Sequence, residues 1–371
     1  MSLTPEIVAQ DVLFAGPPPT TSGGSFKELY ESIRSKSSVD SILGQTYTLI
    51  RTSTDLNDSI TLWEIRLLVL VFNNRITQAK YEAVCLNNVL YLAENDNVAP
   101  AAVSSIPPNP QNQRVYPLPR NNNGVIDHKF LVLLLRLKSV PNMSLVNEFY
   151  KLCYQLRLKS DNYSSDQLSV KLMNLSFDIS VILIINKDYL TLLNLLDSMK
   201  SEIELDKSEL YASVLSGVKL LSILTKILIF DQTQTPRDAI KRQLRTSHSD
   251  DFHLVVDSAL DDLVYVLNNI SPIYSATLTE KDERTAATDI SKADIDLDRL
   301  VSMVLEGKIT GRILCSLLGM WDLKNNFKFA IEESEFLGED LVSISNPTVS
   351  DCCALIRMDW LKHINKVYGL E

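Results

Sequence analysis

"LWEIRLLVLVFNNRITQAKYEAVCLNN", residues 62–88, holds two apolar arms joined by the polar trio Asn73, Asn74 and Arg75. Trp63, Leu67 and Leu70 in the first arm, with Ile76, Ala79 and Ala83 in the second, follow much of the spacing of a tetratricopeptide repeat of about 34 residues. That spacing sets a large residue early in the first helix, a hydrophobic one just after the turn, and small residues where the two helices cross. A bulky side chain at Ala79 would push the helices beyond close contact. Asn accepts the left-handed backbone better than most residues with a Cβ, so Asn74 is assigned the reversal. The stretch therefore predicts an antiparallel helical hairpin, and the fold class expected is all-α: a TPR-like α-solenoid of stacked antiparallel helix pairs.

The same punctuation recurs along the chain. "KFLVLLLRLKSVPNMSLVNEFYKLCYQLRL" forms a second pair, with Pro141 and Asn142 as breaker and Ser144 as N-cap. "SVKLMNLSFDISVILIINKDYLTLLNLLDSMKSEI" forms a third, in which Asn186–Tyr189 fills the turn slot and Tyr189 packs between layers. Each pair has an apolar face that it cannot hide alone, so stacking supplies the shared core. Residues 1–24, rich in Pro, Thr, Ser and Gly, are expected to be disordered, and "SFKELYESIRS" opens the folded part with Ser25 as N-cap. The expected organisation is an array over 25–230, a flexible segment over 231–250, and C-terminal helical repeats over 251–371 with a break at about 272–293. The first array is interrupted at 93–124, where six prolines forbid regular structure.

Composition narrows the function classes. Gly at 11 of 371 residues is roughly half the usual share of about 7%, which argues against folds that need glycine at phosphate-cradling loops. A formal charge of −10 argues against nucleic acid as partner. The one basic run, Arg237–Arg245, reads as a solvated helix face. The start of the chain lacks a basic, apolar leader pattern, so no signal peptide is expected and five Asn-x-Ser/Thr sequons, Asn174 among them, are expected to stay unused. The longest apolar candidate for a membrane span, Val218–Phe230, contains two lysines and is too short to cross.

No residue set reads as catalytic, cofactor-binding or metal-binding. His248 and His253 with Asp250 and Asp251 can be drawn as ligands, but they show no HExxH spacing and no third distant ligand. Cys153 with His128 is a weak nucleophile pair, since Cys153 sits within an apolar helical pattern. Asp294, Asp296 and Asp298 suit the positive end of a helix and lack an EF-hand pattern. Cysteines 85, 153, 315, 352 and 353 have no zinc spacing and read as reduced thiols. Arg66 interrupts the first apolar arm; it either reaches outward or pairs with an acid such as Glu64 or one in a neighbouring layer.

Several of these stretches together resemble the twelfth subunit of the TRAPP vesicle-tethering complex, a family built from tetratricopeptide-type repeats. The hairpin from Leu62 is similar to that family's segment with a Leu-Trp and an Arg-Leu pair ahead of the turn. "VYPLP", Val115–Pro119, stands where the family has a Tyr-Pro element, and "LDRLVSMVLEGKITGRILCSLLGMWDLKNN" is similar to its C-terminal signature. The chain departs from the family between about 231 and 293. The resemblance implies a non-catalytic scaffold or adaptor of a TRAPP III-like complex in ER-to-Golgi transport and autophagy. It implies other TRAPP-type subunits as partners, no cofactor, and a cytoplasmic protein that reaches ER–Golgi membranes only through those partners. Partner-binding residues expected on this reading are Arg66, Tyr116, Pro117 and Trp321. Two other readings stay open: an α-solenoid adaptor of a different assembly, and an all-helical enzyme whose site is built from dispersed residues.

Overall fold

The computed structural model describes residues 3–16, 24–95, 126–158, 165–205, 212–248, 291–292, 295–311, 313–315 and 346–358, with isolated positions between 260 and 267. Every regular element among them is helical, so the protein is all-α. The helices are α1 (Pro5–Val8), α2 (Phe26–Arg34), α3 (Val39–Thr52), α4 (Leu56–Phe72), α5 (Ile76–Asn95), α6 (His128–Lys138) and α7 (Met143–Leu158). They continue as α8 (Ser165–Ile185), α9 (Tyr189–Leu205), α10 (Ala212–Gln232), α11 (Arg237–His248), α12 (Leu297–Leu305) and α13 (Val349–Met358). A single 3₁₀ turn, Asp11–Leu13, follows α1.

Side chains close several of the helix starts. Ser25 and Glu28 form a reciprocal capping box on α2, and Asp296 accepts from the Arg299 N–H at 2.6 Å on α12. On α7 the cap is Asn142, whose Oδ1 accepts from the Leu145 N–H at 3.1 Å, and not Ser144 as expected. Asn and Ser cap almost equally well, and Pro141 forces the break two residues before α7 begins.

The helix ends explain the shortage of glycine. After α2, α4, α8, α10 and α12 the chain passes through a left-handed residue: Lys36, Asn74, Lys187, Gln234 and Gly307. Each end carries the paired bonds of a Schellman motif. At the first hairpin the Arg75 N–H donates to Leu70 O at 2.9 Å and the Asn74 N–H to Val71 O at 3.2 Å. Only one of the five is glycine, so four helices end on a residue whose Cβ resists that backbone. Lys187→Gly should therefore raise stability by about 0.5–1 kcal/mol, the relieved strain outweighing the added freedom of the unfolded chain. Gly307→Ala should lower it by about 1 kcal/mol. Guanidinium midpoints of the full chain's helix signal check both.

The chain divides into two compact units, residues Met1–Lys171 with Ser334–Glu371, and Leu172–Glu333. In the first, α3 packs on α4, α4 on α5, α5 on α6 and α6 on α7. Two features depart from the expectation. Residues 3–16 are not disordered: Val8, Leu13 and Phe14 are buried and α1 packs on α4. Six apolar residues in "IVAQDVLF" supply the anchoring surface that a count of Pro, Thr and Gly conceals. In addition, α13 does not continue a C-terminal array. It packs on α2 and α4, and its Cys352 Sγ–H donates to Phe26 O at 3.5 Å across 326 residues of chain. Its buried residues Val349, Cys352, Cys353 and Ile356 follow the i, i+3, i+4, i+7 pattern of a one-faced helix.

In the second unit α9 packs on α10, and α12 packs on α10 and α11. The Gln232 side-chain amide donates to Lys187 O at 3.4 Å, tying the end of α10 to the start of α9. At Gly311 an added Cβ would lie 3.4 Å from Ile184 Cγ2, so glycine permits the close approach of α8 to the backbone at Gly311. The segment 231–250, expected to be flexible, contains α11, where Ile240 and Leu244 are buried. Two apolar residues four apart suffice to dock an otherwise polar helix. Most of the expected break at 272–293 and of the 93–124 loop lies outside the described residues. Gln167–Ile185 of α8 is longer than the stretch singled out at Val218–Phe230, and it is long and apolar enough to cross a membrane. With 61% of it buried inside the fold, it packs as a core helix. Asn174 of the sequon is buried within α8, where a glycan acceptor is inaccessible.

Candidate functional site

Two polar and apolar constellations stand out from ordinary packing. In the first unit, Arg66 lies inside the fold with 4% of its surface exposed. Its Nε donates to Glu82 Oε2 at 2.7 Å and its Nη2 to Glu82 Oε1 at 2.8 Å, a bidentate pair joining α4 to α5. Its Nη1 donates to Leu43 O at 2.8 Å, which adds α3. Glu82 Oε1 also accepts from the Ala15 N–H at 3.0 Å and the Gln78 Nε2 at 3.2 Å. The N-terminal segment thus closes the charge site. Phe14 stacks on Trp63 with ring centroids 4.6 Å apart, and the Arg66 guanidinium lies 5.0 Å from the Phe14 centroid. The Trp63 indole N–H donates to Val8 O at 2.9 Å. Arg66, expected at a partner-binding surface, instead turns inward and clamps α3, α4 and α5 together. At the edge, Arg51 and Tyr47 both bond Asp11, which holds that carboxyl below the usual range.

Of the packing residues read from the sequence, Trp63, Leu67, Leu70, Ala79 and Tyr189 are buried and Ile76 is half-buried. Burial raises the pKa of the Tyr189 hydroxyl, reinforced by the nearby Cys315 and Asp231. Tyr116, Pro117 and Trp321 lie outside the described residues, as do Asp250, Asp251, His253 and Asp294. Cys153, Cys315, Cys352 and Cys353 are buried, and none of the five cysteines forms a disulfide. Burial, with the charge of Asp351 added, pushes the Cys352 thiol up to about 12, so it packs as a small apolar group rather than reacting. Among the described residues no group of three His, Cys, Asp or Glu is placed to hold a metal ion.

The second constellation is apolar and open. In the second unit Leu190 and Leu193 of α9, Phe230 of α10 and Leu244 of α11 line a groove of about 350 Å³, with Lys226 and Thr246 among its polar lining. Leu190 is 66% exposed, an unusual position for a large aliphatic residue beside other apolar ones. A further apolar stripe runs along α7 of the first unit, where Met143, Tyr150, Tyr154 and Leu158 face outward at helical spacing. Tyr and Met are the residue types enriched where proteins meet. Sequence reasoning missed Glu82, Phe14 and the groove. Nothing in a linear reading joins α9 to α11, but Glu82 carries a signal in its distance from the hairpin reversal.

Comparison of the chain with protein-family models, with curated proteins and with solved structures finds no match.

Proposed function

We propose that this protein is a non-catalytic helical scaffold that holds other proteins, and that the assembly it serves is a TRAPP III-like tethering complex in ER-to-Golgi transport and autophagy. The observation that carries the reading is the hairpin at 56–95. The stretch with the strongest resemblance, Leu62–Ala83, buries Trp63, Leu67, Leu70, Ala79 and Ala83 and turns on a left-handed Asn74, as a tetratricopeptide-type pair requires. Packing of α3 to α7 in sequence order supports a short file of such hairpins as the finer architecture. The C-terminal resemblance adds α12, with its buried Leu300, Val301, Met303 and Val304, and the Gly307 turn. The outward tyrosines of α7 and the α9–α11 groove offer surface of the kind that such a role uses.

On this reading the partners are other TRAPP-type subunits, no cofactor or nucleic acid is involved, and the protein is cytoplasmic and meets membranes through its complex. An adaptor of another assembly is the second reading, favoured by the same two surfaces. Gentle low-salt affinity purification of the full chain, followed by mass spectrometry, separates the two. TRAPP core subunits are expected in the eluate, and their absence overturns the TRAPP assignment. The purified chain alone is expected to leave nucleotide release from Rab GTPases unchanged; robust exchange by it overturns the scaffold reading.

A further inference from the structure

We infer that the cleft over α3, α4 and α5 is a peptide-recognition site that residues 8–15 occupy in cis, and that a partner's segment of the same chemistry takes their place. That chemistry is an acid followed two and three residues later by an apolar residue and an aromatic one. Residues 8–15 are held as a ligand is held. Their own structure amounts to the end of a four-residue helix and one 3₁₀ turn, so their position comes from what the three helices supply. Side chains of α4 and α5 grip the main chain of the segment at both ends. The Trp63 indole N–H donates to Val8 O at 2.9 Å, the Gln78 amide donates to Ala15 O at 3.1 Å, and Glu82 Oε1 accepts from the Ala15 N–H at 3.0 Å. Contacts of that kind hold any sequence, and selectivity lies in the side chains between them. Phe14 is caged: Trp63 stacks on it at 4.6 Å, Tyr47 meets its edge at 4.7 Å, and the Arg66 guanidinium lies 5.0 Å from its centroid. Asp11 accepts from the Tyr47 hydroxyl at 2.6 Å and from Arg51. Leu13 is buried, whereas Val12 beside it is 69% exposed and adds nothing to recognition.

The floor of the cleft is complete without the segment, and that permits exchange. When residues 8–15 leave, Arg66 keeps both bonds to Glu82 and its bond to Leu43 O, so no buried charge is stranded. The groups that do lose a partner are the Trp63 N–H, the Gln78 amide and one oxygen of Glu82, all on the face thus opened, where water replaces the lost bonds. Uncovering the ring of Trp63 is the unfavourable part, and an incoming aromatic anchor reverses it. Because it belongs to the same chain, the segment acts at an effective concentration of about millimolar order, so a partner displaces it only with a segment of higher intrinsic affinity. The segment is thereby an autoinhibitory contact. The site gives the scaffold reading a means of partner capture without depending on which assembly is served: the peptide test below can succeed where TRAPP subunits fail to co-purify, and fail where they do.

The test uses a fluorescein-labelled peptide of residues 4–16 and two full-length chains, the parent and Phe14→Asp. The substitution empties the aromatic cage in cis and leaves its walls in place. In fluorescence anisotropy the peptide should bind the Phe14→Asp chain saturably and about tenfold or more tighter than the parent, whose site is already filled. Phe14→Ala in the peptide should cost about tenfold or more, and Asp11→Asn about two- to fivefold. No binding to the Phe14→Asp chain overturns the inference, as does equal affinity for the two chains or indifference to either change in the peptide. Loss of the variant's helix signal overturns it too, because the cleft would then not stand without the segment. Hydrogen exchange of the parent gives a reading free of substitutions: the amides of Leu13, Phe14 and Ala15 should exchange through a local opening while those of α4 stay protected. Equal opening free energies for the two would make the segment part of the core and end the inference.

Discussion

Glu82→Ala destabilises the first unit by about 3–5 kcal/mol, because it strands the Arg66 guanidinium inside the fold without its counter-charge. The geometry makes this the most sensitive polar position among the described residues. Glu82 takes both forks of Arg66, and its Oε1 also holds the backbone N–H of Ala15. Removing it therefore takes an acceptor from four donors at once, the Gln78 side-chain amide included. Exchanging both partners, Arg66→Met with Glu82→Leu, is expected to cost less than either single change, since no buried charge remains. Ala15 still loses its acceptor, which keeps the double variant about 1 kcal/mol below the parent. Guanidinium unfolding of the four chains, followed by helix circular dichroism, measures the cycle. Additive losses would show that the two charges act independently and would contradict the clamp.

Trp63→Ala is the second large effect, also about 3–5 kcal/mol, the range for emptying a tryptophan site in a core. Trp63 is fully buried and supports Phe14 on its face and Val8 O at its indole N–H. Two losses should therefore appear together. Global stability falls, and the N-terminal segment 3–16 becomes cleavable, since its opening no longer breaks those contacts. Trp63→Phe keeps much of the ring and gives up the hydrogen bond to Val8, so about 1–2 kcal/mol is expected. Limited proteolysis with mass spectrometry of the fragments reads the local effect. Equal protection of residues 3–16 in the Trp63→Ala chain would show that the segment is held by something other than this ring.

How far the sequence discloses this fold can be judged at single positions. The hairpin reversal was legible because Asn73, Asn74 and Arg75 interrupt two strongly apolar arms, and Asn74 does take the left-handed backbone. The partner of Arg66 was legible in principle. In an antiparallel hairpin, residues equally far from the reversal come opposite one another, and Arg66 and Glu82 stand at equal distance on either side of Asn74. Glu64, on the same helix as Arg66, lacks that symmetry, and an acid in a neighbouring layer lies outside the hairpin. The N-terminal segment was misjudged because composition averages over "IVAQDVLF" and its Pro- and Gly-rich sequel as though they were one piece. The placement of α13 was out of reach. Its pattern declares a one-faced helix, but nothing local says which distant face it covers, and the assumption of a file assigned it to its neighbours. The groove was hidden for the same reason, since it depends on which helices meet and not on what any one of them contains.

The return of α13 to α2 and α4 has a consequence for synthesis. About 280 residues must be translated between the end of α4 and the start of α13, which at about 5–20 residues per second takes roughly 15–55 s. During that interval the surface of α2 and α4 that α13 will bury stays uncovered, an apolar nascent face open to aggregation. Chains that end before Val349 leave it bare permanently, so shortened products should be insoluble even where every earlier helix is intact.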